Sequence, residues 1–78
     1  MKLLFVDDDA PVRRVVKRGL GRLGHEVILA ADGAEAWERF CAASHSFDIV
    51  FIETWMPRLD GVTLFWRLRA AGTKFRVY

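Results

Sequence analysis

Residues 49–52 read Ile-Val-Phe-Ile, closed by Asp48 on one side and Glu53 on the other. Four consecutive apolar residues rich in β-branching suit a strand that is covered on both faces, and such strands belong to parallel sheets flanked by helices. That one segment limits the fold to those in which helices can be laid on either side of it. The rest of the chain supplies them. Residues 3–6 form a short apolar run that stops at acids. Pro11 follows where a first helical turn tolerates it, and Val12, Val15, Val16, Leu20 and Leu23 recur at helical spacing before Gly24. Residues 26–30 are a second short apolar stretch. Asp32 with Glu35 three residues later has the form of a capping box, and Ala36, Trp37, Phe40 and Cys41 then give an apolar helical face. After residues 48–53 come loop signals at Met56, Pro57, Asp60 and Gly61. A third helical face at Leu64, Phe65 and Leu68 ends near Gly72, before a last short run of Phe75, Val77 and Tyr78. The order βαβαβαβ with short connections predicts an α/β fold, a parallel sheet built from right-handed crossovers.

Composition agrees with a folded chain and excludes several classes of function. The 78 residues allow one domain, residues 1–78 without internal repeats, and 53% hydrophobic content with two prolines is too apolar for a disordered tail. The single cysteine, Cys41, excludes an internal disulfide and a Cys-based zinc site, and fits a reducing compartment. His25 and His45 are too few and too far apart for a metal set. The first apolar run is too short for a signal peptide, and no stretch approaches the roughly 20 apolar residues of a membrane span. A cytoplasmic location and no membrane partner are expected.

A net charge of +2 says little, but its distribution is uneven: Asp7, Asp8 and Asp9 are followed by Arg13, Arg14, Lys17, Arg18 and Arg22. The basic stripe could grip nucleic-acid phosphates. A solvated face opposite the valines and Leu20 explains it without a ligand, so no specific nucleic-acid partner is expected. For the acids, two readings stand side by side. In an open parallel sheet, ligands bind outside the carboxyl ends of the strands where strand order reverses. If strand 1 lies between strands 2 and 3, Asp7, Asp8 and Asp9 meet Glu53 there, and clustered carboxylates persist best around a hard cation such as Mg2+. Equally, the acids would end strand 1 and cap the first helix, where the helix dipole favours them.

At these residues the sequence resembles a family. Leu3-Leu4-Phe5-Val6-Asp7-Asp8-Asp9, the Gly24-His25-Glu26-Val27 turn, Ala31-Asp32-Gly33-Ala34-Glu35-Ala36, and Met56-Pro57-Arg58-Leu59-Asp60-Gly61 are similar to the receiver domain of bacterial two-component response regulators. The resemblance implies an incomplete flavodoxin-like (receiver) fold, with four parallel strands in order 2-1-3-4 and three helices. It implies phosphate transfer from a histidine kinase or small phosphodonor to an Asp at the end of strand 3, with Mg2+ required. Carried over by position, Asp7 and Asp8 hold Mg2+, Trp55 offers its carbonyl, and position 53 is the phospho-acceptor.

Position 53 is glutamate. Its extra methylene carries the carboxylate outward by about 1.5 Å, one C–C bond, and a misplacement of about 1 Å costs on the order of a hundredfold in a positioned displacement. The expectation is a degenerate, non-enzymatic receiver in which Glu53 is at most a standing mimic of phosphate, with Mg2+ binding weak. The alternative is a receiver that still takes phosphate. Compared with a complete receiver the chain stops near strand 4, and the family's switch hydroxyl and lysine find no counterpart; Lys74 lies before strand 4 and does not match. Helix 1 would then lie alone on one sheet face, with helices 2 and 3 on the other. That predicts a homodimer through the uncovered face or the strand 4 edge.

Overall fold

A computed structural model describes residues 1–43, 46–53, 61–70 and 76–77, with the backbone alone at 61, 76 and 77. The chain order is β1 (Lys2–Val6), α1 (Ala10–Arg22), β2 (Glu26–Ala30), α2 (Gly33–Ala42), β3 (Ile49–Ile52), α3 (Gly61–Ala70) and β4 (Arg76–Val77). The sheet order is β2-β1-β3-β4, and every pairing is parallel. This is the expected topology. The strand bounds differ slightly from the expected ones. β1 gains Lys2, whose N–H donates to Asp48 Oδ2 at 2.7 Å. β3 keeps only the apolar four, although the Asp48 N–H still donates to the Lys2 carbonyl and the Glu53 N–H to the Val6 carbonyl. Phe75 and Tyr78 lie outside the described residues.

Local chemistry sets the helix ends. Asp9 caps α1, its side chain accepting from the Val12 N–H, and Pro11 sits in the first turn where a missing N–H matters least. At the far end Gly24 adopts φ +90°, a left-handed conformation that glycine takes without steric penalty and that turns the chain into β2. Asp32 caps α2 by accepting from the Glu35 N–H at 2.8 Å. Glu35 pairs in turn with Arg39 at 3.7 Å.

The two faces of the sheet are unequal. Leu4, Val6, Ala30 and Val50 point to the α2/α3 side, where they are buried with Ala36, Phe40, Phe47, Leu64 and Leu68. The rings of Trp37, Phe40 and Phe47 stack in series at centroid distances of 5.7 and 6.3 Å. On the other side α1 stands alone against β2. Leu3 and Val27 are buried beneath it, whereas Phe5, Leu29, Ile49 and Phe51 are only half-buried. A helix about 10 Å wide covers about two strands spaced about 4.8 Å apart, so one helix leaves β3 partly bare.

Two expectations are corrected. The run Val12, Val15, Val16, Leu20 and Leu23 does not face the sheet as a whole: Val16 and Leu20 are half-buried, but Val15 is 71% and Leu23 72% exposed. The run is wider than the strip of sheet beneath it. Cys41, counted with the apolar face of the second helix, is exposed, because the inner line of α2 runs Gly33, Ala36 and Phe40 and Cys41 lies about 100° further round the helix. Trp66 is exposed. Among the described residues no helix is long and apolar enough to cross a membrane.

Because Phe40 is fully buried in the ring stack, Phe40→Ala is expected to lower stability by about 3–5 kcal/mol in urea titration. Val15→Ala, at an exposed helical position, should stay within about 0.5 kcal/mol of the parent.

Candidate functional site

The pairing of β1 with β3 places Val6 opposite Ile52, so Asp7 and Glu53, the next residues of each chain segment, emerge together at the carboxyl end of the sheet. β2 lies on the other side of β1, and the Asp7 N–H donates to the Ala30 carbonyl at 3.1 Å. The sheet order reverses between β1 and β3, which is the place where open α/β sheets bind ligands. A cleft of about 250 Å³ lies there, lined by Phe5, Val6, Asp7, Phe51, Ile52 and Glu53. The cleft thus bears two carboxylates at the strand ends, next to Phe5 and Phe51.

The three consecutive aspartates divide their work. Asp7 is half-buried in the cleft and its Oδ1 accepts the Asp9 N–H at 2.9 Å, closing a local turn. Asp9 turns to the helix, where its Oδ1 accepts the Val12 N–H at 3.3 Å. Asp8, between them, is exposed and does not line the cleft. The capping reading therefore holds for Asp9, while Asp7 lines the cleft. Among the described residues no three His, Cys, Asp or Glu side chains stand close enough together to hold a metal ion. Trp55, Met56, Pro57 and Asp60 lie outside the described residues, and Gly61 opens α3. His45 also lies outside them. His25 Nδ1 is 3.0 Å from the Met1 ammonium nitrogen.

The donor chemistry fits Mg2+ at the level of atom type, since Asp7, Asp8 and Glu53 offer only hard carboxylate oxygens. A carboxylate has about four lone-pair sites, so the bond from the Asp9 N–H leaves Asp7 able to ligate.

One residue escaped the sequence reading. Arg13 counted as part of a solvated basic stripe, yet it is half-buried and its Nη1 donates to the Asp7 carbonyl at 2.7 Å. The available signal was its spacing: Arg13, Val16 and Leu20 lie at i, i+3 and i+7, one face of a helix.

The profile described as "Response regulator receiver domain" matches residues 3–78. The chain belongs to the response regulator receiver family. It is 44% identical over 72 residues to the chemotaxis protein CheY1 of Helicobacter pylori strain J99, a match covering 90% of this chain and 56% of CheY1. It is 42% identical over 72 residues to the response regulator MprA of Mycobacterium avium, covering 92% of this chain and 31% of MprA. The chain thus spans about half of the first relative and a third of the second. Among solved structures, the receiver domain of the hybrid histidine kinase CckA superposes with a TM-score of 0.92 at 35% identity, over 99% of this chain and 71% of that one. The response regulator TrrA of Thermotoga maritima, solved in complex with Mg2+-BeF, superposes with a TM-score of 0.86 at 28% identity, over 97% of this receiver and 64% of TrrA. The fold is that of a flavodoxin-like receiver of two-component signalling.

The division of labour among the aspartates is testable. Asp9→Ala should destabilise the receiver by about 0.5–2 kcal/mol, and Asp9→Asn, which keeps a capping oxygen, should recover most of that loss in urea titration.

Proposed function

We propose that this receiver is a non-enzymatic signalling module that is phosphorylated poorly or not at all, and that it works through protein–protein contacts. The observation that carries the reading is Glu53. Its N–H is tied to the Val6 carbonyl at 2.9 Å, which fixes its backbone one residue beyond β3 and beside Asp7. A carboxylate anchored there on a side chain one methylene longer than aspartate reaches about 1.5 Å further out. Attack on a phosphodonor requires the carboxylate oxygen, phosphorus and leaving atom in line, and that alignment tolerates little displacement. Glu53 then stands as a permanent negative charge where an acyl phosphate would otherwise form. Asp7 and Asp8, with the Trp55 carbonyl, would hold Mg2+, which when bound neutralises charge on phosphoryl oxygens. With Asp8 exposed and outside the cleft lining, that binding is expected to be weak.

Incubation with Mg2+ and acetyl phosphate, or with a fluoroberyllate analogue, should leave the intact mass unchanged, while Glu53→Asp should take up more phosphate than the parent. A stoichiometric gain of one phosphate on the parent overturns the reading and favours a receiver that accepts phosphate from a histidine kinase.

We further propose that the protein contacts include a second copy of this chain, seated on the α1 side of the sheet. Support comes from an apolar hollow of about 320 Å³ lined by Phe5, Val16, Gly19, Leu20 and Phe51, since the same patch on two copies is self-complementary under a two-fold axis. Size-exclusion chromatography with light scattering at micromolar concentration should give a dimer, and Phe51→Glu should return it to monomer. A parent that elutes as a folded monomer defeats this proposal.

A further inference from the structure

We infer that Arg13 is a positioning residue for the acidic cleft: by gripping the Asp7 carbonyl it fixes the one aspartate that lines the cleft. The inference rests on the reading above, in which that cleft holds a divalent cation. Asp7 is held at three points. Its N–H donates to the Ala30 carbonyl of β2 at 3.1 Å. Its carbonyl accepts from Arg13 Nη1 of α1 at 2.7 Å. Its carboxylate accepts the Asp9 N–H at 2.9 Å. The first bond is strand pairing and the third is a turn within the loop. The second ties the loop to α1, so that the strand tip is held from the helix side as well as from β2.

The choice of acceptor is informative. Three aspartates lie within six residues of Arg13, yet among the described residues Arg13 makes no ion pair; it bonds a neutral carbonyl. A guanidinium paired with a carboxylate would withdraw a ligand from the cleft. Bonded to a carbonyl, it orients the ligand's backbone and leaves the carboxylates free of that competition. Its half-buried position is also specific, since the neighbouring Arg14 and Lys17 are exposed.

A positioning role and a purely electrostatic one have opposite signs. A positive charge beside a cation site opposes cation binding, so if Arg13 acted only by charge, removing it would tighten binding. If it acts by position, removing it loosens binding, and loss of a partner that orients a ligand typically weakens metal affinity 10–100-fold. Titration with Mn2+ should therefore give a dissociation constant at least about tenfold higher for Arg13→Met than for the parent. Arg13→Lys, which keeps the charge and one donor, should fall between them. Binding by Arg13→Met that is equal to the parent's or tighter overturns the inference.

A second measurement needs no cation. Hydrogen exchange of the metal-free protein should show the Asp9 amide exchanging severalfold faster in Arg13→Met, with the amides of β1 and α2 unchanged. Should that variant fail to fold, Arg13→Gln, too short to span the same gap, serves in its place. An unchanged Asp9 rate overturns the positioning role. Failure of the parent to bind Mn2+ would instead remove the cation reading, and the exchange result would still decide whether Arg13 holds the loop.

Discussion

The parallel pairing of β1 with β3 is the contact on which the site depends. Val6 faces Ile52 in register, and the bond from the Glu53 N–H to the Val6 carbonyl carries that register one residue further. Asp7 and Glu53 share a cleft because of it. A slip of one residue would send every side chain of β3 to the opposite face of the sheet, burying Phe51 in place of Val50 and moving Glu53 out of reach of Asp7. The register is held by the asymmetry of the faces, since Leu4, Val6 and Val50 all belong to the one well-packed side.

Among the described residues that asymmetry follows from one helix, α1, lying on one face of the sheet and two, α2 and α3, on the other. α2 and α3 pack against each other, and between them they close over Val50, Leu64 and Leu68 completely. α1 buries none of its own residues fully. The consequence is a receiver whose cohesion is concentrated on one side while its charged cleft is assembled at the rim of the other. Arg13 reaches from α1 to the residue that follows β1.

Much of this was legible in the sequence, and the failures are instructive. The apolar four of β3, the valine-spaced α1 and the Asp32 cap all follow from periodicity and end chemistry, because those depend on neighbours a few residues away. The family motifs added the strand order, which no local pattern specifies. What could not be read was how broad a surface each helix would meet. Val15 and Leu23 belong to the apolar repeat but overhang the sheet, and Cys41 borders Phe40 in sequence while facing away from the core. For the site, spacing alone did not separate the three aspartates, and the resemblance singled out Asp7 and Asp8. Their separate positions depend on which one precedes the helix and which one follows the strand, a distinction of two residues that appears in the hydrogen bonds.

The thin seating of α1 sets the order in which parts of the molecule let go. Segments with little buried apolar area open locally at lower free energy than the global transition. On warming, α1 would detach while the Trp37, Phe40 and Phe47 rings remained in register, and the Asp7 turn would slacken with it. The cleft beside Asp7 would thus loosen below the temperature at which the fold itself melts.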